Sequence, residues 1–205
     1  MSAVADLRAL LIIDPLKRFT EAGAPFEVPG AAETVERINV AVTACREQGI
    51  PVVWTTRMIR PQVGMGSRTG DKYGAIPDAF QGRWAEIDDR LDVRDNDVVI
   101  DKTRHSSFYQ TDFEGVLRTW GTREVLLAGF TTNVCLLATA FDAVARDLRV
   151  VLLADLSGTR GSNFNGEELP AAEIQRMSEI LIEYAVGTVS TSALELASAG
   201  LLGSQ

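Results

Sequence analysis

Six short apolar runs recur along this chain, at 9–13, 52–55, 98–100, 125–128, 150–154 and, more weakly, 187–190. They are continuous rather than alternating, and rich in Val, Ile and Leu. A strand with one wet face alternates apolar and polar residues, whereas an unbroken run suits a strand covered on both faces. Helical spacing fills the gaps. Segment 31–48 sets Val35, Ile38, Val42 and Cys45 on one stripe and stops at Gly49. Segment 111–120 repeats the pattern with Phe113, Val116, Leu117 and Trp120 before Gly121. Segment 135–146 is rich in Ala and Leu. Segment 170–184 opens on proline and carries Ile174, Met177, Ile180, Leu181 and Tyr184, and 192–198 is a last short helix. The alternation predicts an α/β protein with three αβα layers, a doubly wound, mostly parallel six-stranded sheet between helices. A length of 205 residues suits one domain over 1–205.

One connection breaks the rhythm. From 56 to 96 no strand is evident, and loops that long are uncommon unless they serve a function. The excursion carries Arg57, Met58, Arg60, Arg68, Lys72, Tyr73, Arg83 and Trp84. It reads either as a surface detour or as a segment covering a substrate.

Charge and composition remove whole classes of function. Lys and Arg number 20 against 28 Asp and Glu, so a basic face for nucleic acid is not expected. The apolar runs are far too short to cross a membrane, and no signal peptide is visible, so a cytoplasmic protein is expected. Cys45 and Cys135 are the two cysteines, too few for a disulfide framework. A single histidine, His105, excludes a zinc site built on several histidines and limits any His-based dyad to that residue. No glycine fingerprint or Walker lysine motif supports a nucleotide site.

In open parallel sheets, ligands sit beyond the carboxyl ends of the strands. Asp14 follows the first run, Lys102 the third, and Gly129 to Cys135 the fourth. On the predicted sheet all three polar groups reach one edge. A cysteine in the first turn of a helix, beside a lysine, has a lowered thiol pKa. A carboxylate takes its proton, giving nucleophile, base and charge partner without histidine. Thr131, Thr132 and Asn133 are capping residue types for that helix, and backbone N–H groups near Cys135 suit an oxyanion. Each residue also has a structural reading: Asp14 as a cap or metal ligand, Lys102 as a solvated cation, Cys135 as a small core residue. Cys45, on an apolar helical stripe, reads as core. His105 reads as a loop hydrogen-bonding residue. Phe19, Trp84 and Tyr109 are candidate aromatic pocket walls. Arg57 is a candidate anchor for a substrate carboxylate, or else a solvated surface residue.

Together these blocks resemble the isochorismatase-like hydrolases over nearly the whole chain. The matching residues are Leu11-Ile12-Ile13-Asp14 with Phe19, then Lys102 followed by Ser107-Phe108-Tyr109-Gln110-Thr111. Gly129, Thr131, Thr132, Cys135, Thr139, Ala140, Asp142 and Ala143 come next, and a strand ending in Asp155 closes the pattern. The resemblance implies a Rossmann-like strand order and a catalytic triad of Asp14, Lys102 and Cys135. It implies a cis peptide at Phe130–Thr131 and an oxyanion hole of the Thr131 and Cys135 N–H groups. It also implies a homodimer or homotetramer, and no cofactor. Residues 55–60 lack the Asp/His metal cluster of nicotinamidases, so no metal is expected. The expected activity is hydrolysis of a small amide, ureide or carbamoyl compound. Vinyl ether hydrolysis and a catalytically silent binding member are the alternatives.

Overall fold

The computed structural model describes residues 7–57, 59 and 78–201, the last four of these by backbone alone. Met58, Arg60, Arg68, Lys72 and Tyr73, from the long excursion, lie outside the described residues. Six strands, β1 (Arg8–Ile13), β2 (Val52–Arg57), β3 (Val98–Lys102), β4 (Glu124–Phe130), β5 (Arg149–Gly158) and β8 (Thr188–Ser190), form one sheet in the order β3-β2-β1-β4-β5-β8. Every pairing in it is parallel. The chain winds outward from β1 through β2 to β3, returns to β4 beside β1, and winds the other way. The β1/β4 junction is therefore the topological switch point.

The continuous apolar runs have the expected cause. In β1, Leu10 and Ile12 face one core, with Val35, Ile38 and Cys45 of α2 (Ala31–Glu47) and Leu196 of α6 (Ser192–Leu201). Ala9, Leu11 and Ile13 face the other, with Phe113 and Leu117 of α3 (Phe113–Trp120), Ala140 of α4 (Leu137–Val144) and Ile182 of α5 (Ala171–Ala185). Period-two alternation along one strand feeds both layers. Each fully buried Leu or Ile contributes about 1.5–3 kcal/mol.

Gly129 shows what the switch point demands. It lies opposite Ile13 with φ +106°, and a Cβ placed on it would stand 2.1 Å from the Ile13 carbonyl oxygen. No side chain fits between those two backbones. Gly129→Ala is expected to cost at least about 3 kcal/mol, a drop of roughly 6–12 °C in Tm for a domain of this size. Thermal unfolding followed by circular dichroism measures it.

Several elements differ from the sequence reading. A short α1 (Lys17–Thr20) follows β1, and two 3₁₀ turns, Asp78–Phe80 and Gly82–Ala85, lie in the excursion. These are too brief to show periodicity. Strand β5 runs past Asp155 to Gly158, because the carboxylate of that poor strand former accepts bonds from the Ser192 N–H and hydroxyl. A hairpin of β6 (Ser162–Phe164) and β7 (Glu167–Leu169) turns on Asn165-Gly166, both with positive φ. Asn-Gly is a direct hairpin signal in the sequence. On α5 the buried residues are Ser178 and Ile182, while Met177, Ile180, Leu181 and Tyr184 are exposed. Most of the apolar stripe that marks this helix in the sequence lies on its outer face. Among the described residues, no helix is long and apolar enough to cross a membrane.

Candidate active site

The candidate site lies at the carboxyl ends of β1, β2, β3 and β4. Asp14 leaves β1 with φ +48°, a left-handed conformation that Asp tolerates better than most residues. Its N–H donates to Thr55 Oγ1 at 3.0 Å, and the Thr55 hydroxyl donates back to Oδ1 at 2.9 Å. Lys102, the last residue of β3, donates from Nζ to Asp14 Oδ2 at 2.7 Å and to the Arg104 carbonyl at 3.1 Å. Both side chains of this ion pair are fully buried. The charge of the same carboxylate acts on the Cys135 thiol, whose hydrogen-bond contact is His105 Nδ1 at 3.7 Å. The structure thus brings Asp14, Lys102 and Cys135 together, from three separate chain segments.

Cys135 lies in a π-helical turn, Thr132–Leu136, that leads into α4. A cis peptide joins Phe130 to Thr131 just before it, where the resemblance implied one. The capping expectation fails: Thr131 stands at the cap position, but no side chain caps the turn. Asn133 Oδ1 instead accepts from the Thr159 hydroxyl at 2.7 Å, tying the turn to the end of β5, and Thr132 Oγ1 is buried without a partner.

The electrostatics correct a second expectation. Burial pushes the Cys135 thiol pKa up, and neighbouring Asp14 adds to the rise against the opposing charges of Lys102 and Arg57. Burial also pushes Asp14 up, but Lys102 and Arg18 outweigh it and hold the carboxyl below its ordinary value. The resting site is therefore a protonated thiol beside an ionised carboxylate. Helix position and a nearby lysine argue for a thiolate, but complete burial wins.

The pocket candidates separate. Phe19 is buried core, stacked on Phe26 and Phe130. Trp84 is partly exposed beneath Arg83, and Tyr109 is exposed near Arg104. No described contact joins either to the triad. Arg57 is not the solvated residue of the alternative reading: it is 8% exposed at the end of β2, in register with Lys102. Its Nη1 lies 3.1 Å from His105 Nδ1, which is 3.7 Å from Cys135 Sγ. The site also holds two residues that the sequence reading missed. Arg18 is fully buried, and the guanidinium carbons of Arg18 and Arg57 stand 4.9 and 5.3 Å from the centroid of the Phe80 ring. Neither sits in a motif whose spacing announces it.

The family model for the isochorismatase domain matches residues 8–193. The chain belongs to the isochorismatase family. N-carbamoylsarcosine amidase of Arthrobacter sp is 32% identical to it over 158 residues, 74% of this chain and 60% of that enzyme's length. A ureidoacrylate amidohydrolase of Methylorubrum extorquens is 32% identical over 77% of this chain and 72% of its own. A "probable inactive nicotinamidase" of Arabidopsis thaliana is 35% identical over 68% of this chain and 74% of its own. The crystal structure of a cysteine hydrolase from Pseudomonas syringae pv. phaseolicola superposes with a TM-score of 0.88 and 26% identity, covering 95% of this chain and 93% of that one. The segment after Lys102 has a structural role. The Ser107 N–H donates to Thr139 Oγ1 at 3.0 Å, the Thr139 hydroxyl donates to the Cys135 carbonyl at 2.8 Å, and the Ser106 hydroxyl donates to Asp142. These bonds fasten the 103–111 loop to α4 and place His105 against the Cys135 sulfur.

Proposed function

We propose that this isochorismatase-family hydrolase cleaves the C–N bond of a small amide, ureide or carbamoyl compound through a thioester on Cys135. The observation that carries the reading is the fully buried Lys102–Asp14 ion pair, whose charges act on the buried Cys135 thiol. Asp14 takes the thiol proton as sulfur attacks the carbonyl carbon. Lys102 keeps a positive charge beside the carboxylate through the transfer. The Thr131 and Cys135 N–H groups receive the oxyanion. When the tetrahedral intermediate collapses, Asp14 returns the proton to the departing nitrogen and the C–N bond breaks. Asp14 then takes a proton from water, which attacks the thioester and releases the acid, and the thiol is restored. The curated relatives support the choice of bond, since an amidase and an amidohydrolase are among them.

The test is ammonia release across a panel of small amides, ureides and carbamoyl compounds, with rapid-quench mass spectrometry of the intact protein. A mass increase equal to the acyl group, located on Cys135, is expected during turnover. Ammonia release with no acyl adduct on the protein would overturn the thioester, because water would then attack the carbonyl directly. The inactive-labelled relative favours a second reading, a silent binding member. No turnover across the panel, with panel compounds nevertheless bound by the folded protein, supports that reading instead.

A further inference from the structure

One face of the molecule is apolar and open. Met177, Ile180, Leu181 and Tyr184 of α5 are exposed, and so are Phe141 and Val144 of α4. Where α5 meets the start of α4 runs a groove of about 450 Å³, walled by Leu137, Ile174, Met177 and Leu181, and by Leu169 at the foot of the β6–β7 hairpin. Among the described residues, Glu173 is the one charged side chain that lines it. The hairpin stands clear of the body. Every residue from 161 to 168 is exposed, and Phe164, next to the turn, is 65% exposed. A lone two-stranded hairpin is marginal in water, so an arm with its side chains in solvent needs a surface to lie against. Phe164 does not line the groove, so the arm leaves the groove of its own chain unfilled.

A second copy of the chain fits both features. The six exposed residues of α4 and α5, with Phe164, present roughly 800 Å² of surface, the share that each partner gives to a stable interface. An ordinary monomer leaves a smaller apolar patch open. Four of the seven are aromatic or Met, and charge is sparse at the centre, the composition of an interface core. The sparsity matters because, at a net charge of −8, two copies repel wherever acidic surfaces meet. Two carboxylates of α5 are turned to their own chain, Glu179 accepting from Gln175 and Glu183 from the Val189 N–H. The three residues of β6 span about 10 Å, so the arm reaches well beyond its foot at Leu169.

We infer that this face joins two copies of the chain about a two-fold axis, with the β6–β7 hairpin as an exchanged arm that sets Phe164 into the other copy's α4/α5 groove. The resemblance implied an oligomer but no surface for it. Sedimentation velocity of the full chain is expected to show a dimer, or a tetramer built on it, at micromolar concentration. Phe164→Asp on the arm and Met177→Asp in the groove are each expected to weaken association at least about 100-fold. Met177, like Phe164, is exposed, so neither change disturbs the core, and circular dichroism verifies the fold. Val40→Asp, at an exposed site on α2 in the opposite layer, is expected to leave the assembly intact. Mixing the two variants tests the exchange itself. Each variant homodimer loses both arm–groove contacts, whereas the heterodimer keeps one, an unaltered Phe164 in an unaltered groove. The mixture is expected to associate at least about tenfold more tightly than either variant alone. A mixture no better than its components, or dispersal by Val40→Asp and not by the arm and groove variants, would overturn the inference. So would a wild-type chain that stays monomeric up to about 100 µM, which would leave the face to a different protein.

Discussion

Replacing Cys135 with alanine is expected to abolish amide turnover, by at least about 10⁴-fold in kcat, while changing stability by no more than about 1 kcal/mol. The two effects separate because the sulfur's partners remain satisfied without it. Asp14 keeps Thr55 and Lys102, and the helix keeps its backbone. Cys45→Ala is the matched control. That thiol packs in the other core, and burial pushes its pKa up to about 12, so it has no route to nucleophilic chemistry. Its loss is expected to leave kcat intact at a stability cost of similar size. Ammonia release and urea unfolding of both variants decide the matter, and a Cys135→Ala protein that turns over at the wild-type rate ends the proposed mechanism.

The second large effect lies in the ion pair. Asp14→Asn leaves Lys102 fully buried without a counter-charge, and Lys102→Met leaves Asp14 in the same position. Each is expected to abolish turnover and to cost about 3–5 kcal/mol. The double variant removes both charges and is expected to recover much of that stability, yet none of the activity. Nearly additive stability losses would mean that the two charges are not coupled. The pH dependence has a definite sign. The folded state lowers the Asp14 pKa, so the pair's stabilisation is complete above the ordinary carboxylate range. It is lost as pH falls through that range toward the lower folded value. Urea unfolding from pH 7 downward shows this slope in the wild type, and the slope flattens in Asp14→Asn.

Strand-end logic accounts for how much of the site was legible. Asp14, Lys102 and Cys135 each follow an apolar run, and a parallel sheet places such residues on one edge whatever the details of packing. Gly129 was visible as a motif residue, although its reason, the backbone of Ile13, was not. Arg18 and Phe80 were invisible: one sits in a four-residue helix and the other in a three-residue 3₁₀ turn, and neither leaves a period in the sequence. His105 looked like a loop residue until the bonds from Ser106 and Ser107 to α4 fastened its loop beside Cys135.

By itself the sequence determined the layers, the doubly wound sheet and the edge that bears the triad. Those follow from local apolar periodicity and from the chirality of parallel crossovers. The tertiary structure decided what depends on burial. It made the Cys135 thiol protonated at rest rather than ionised, turned the Met177-Ile180-Leu181-Tyr184 stripe outward, and set Arg57 inside rather than in solvent. Periodicity says which residues share a face. Desolvation, which sets the charge state of a group and the cost of leaving it unpaired, depends on what the rest of the chain lays over that face.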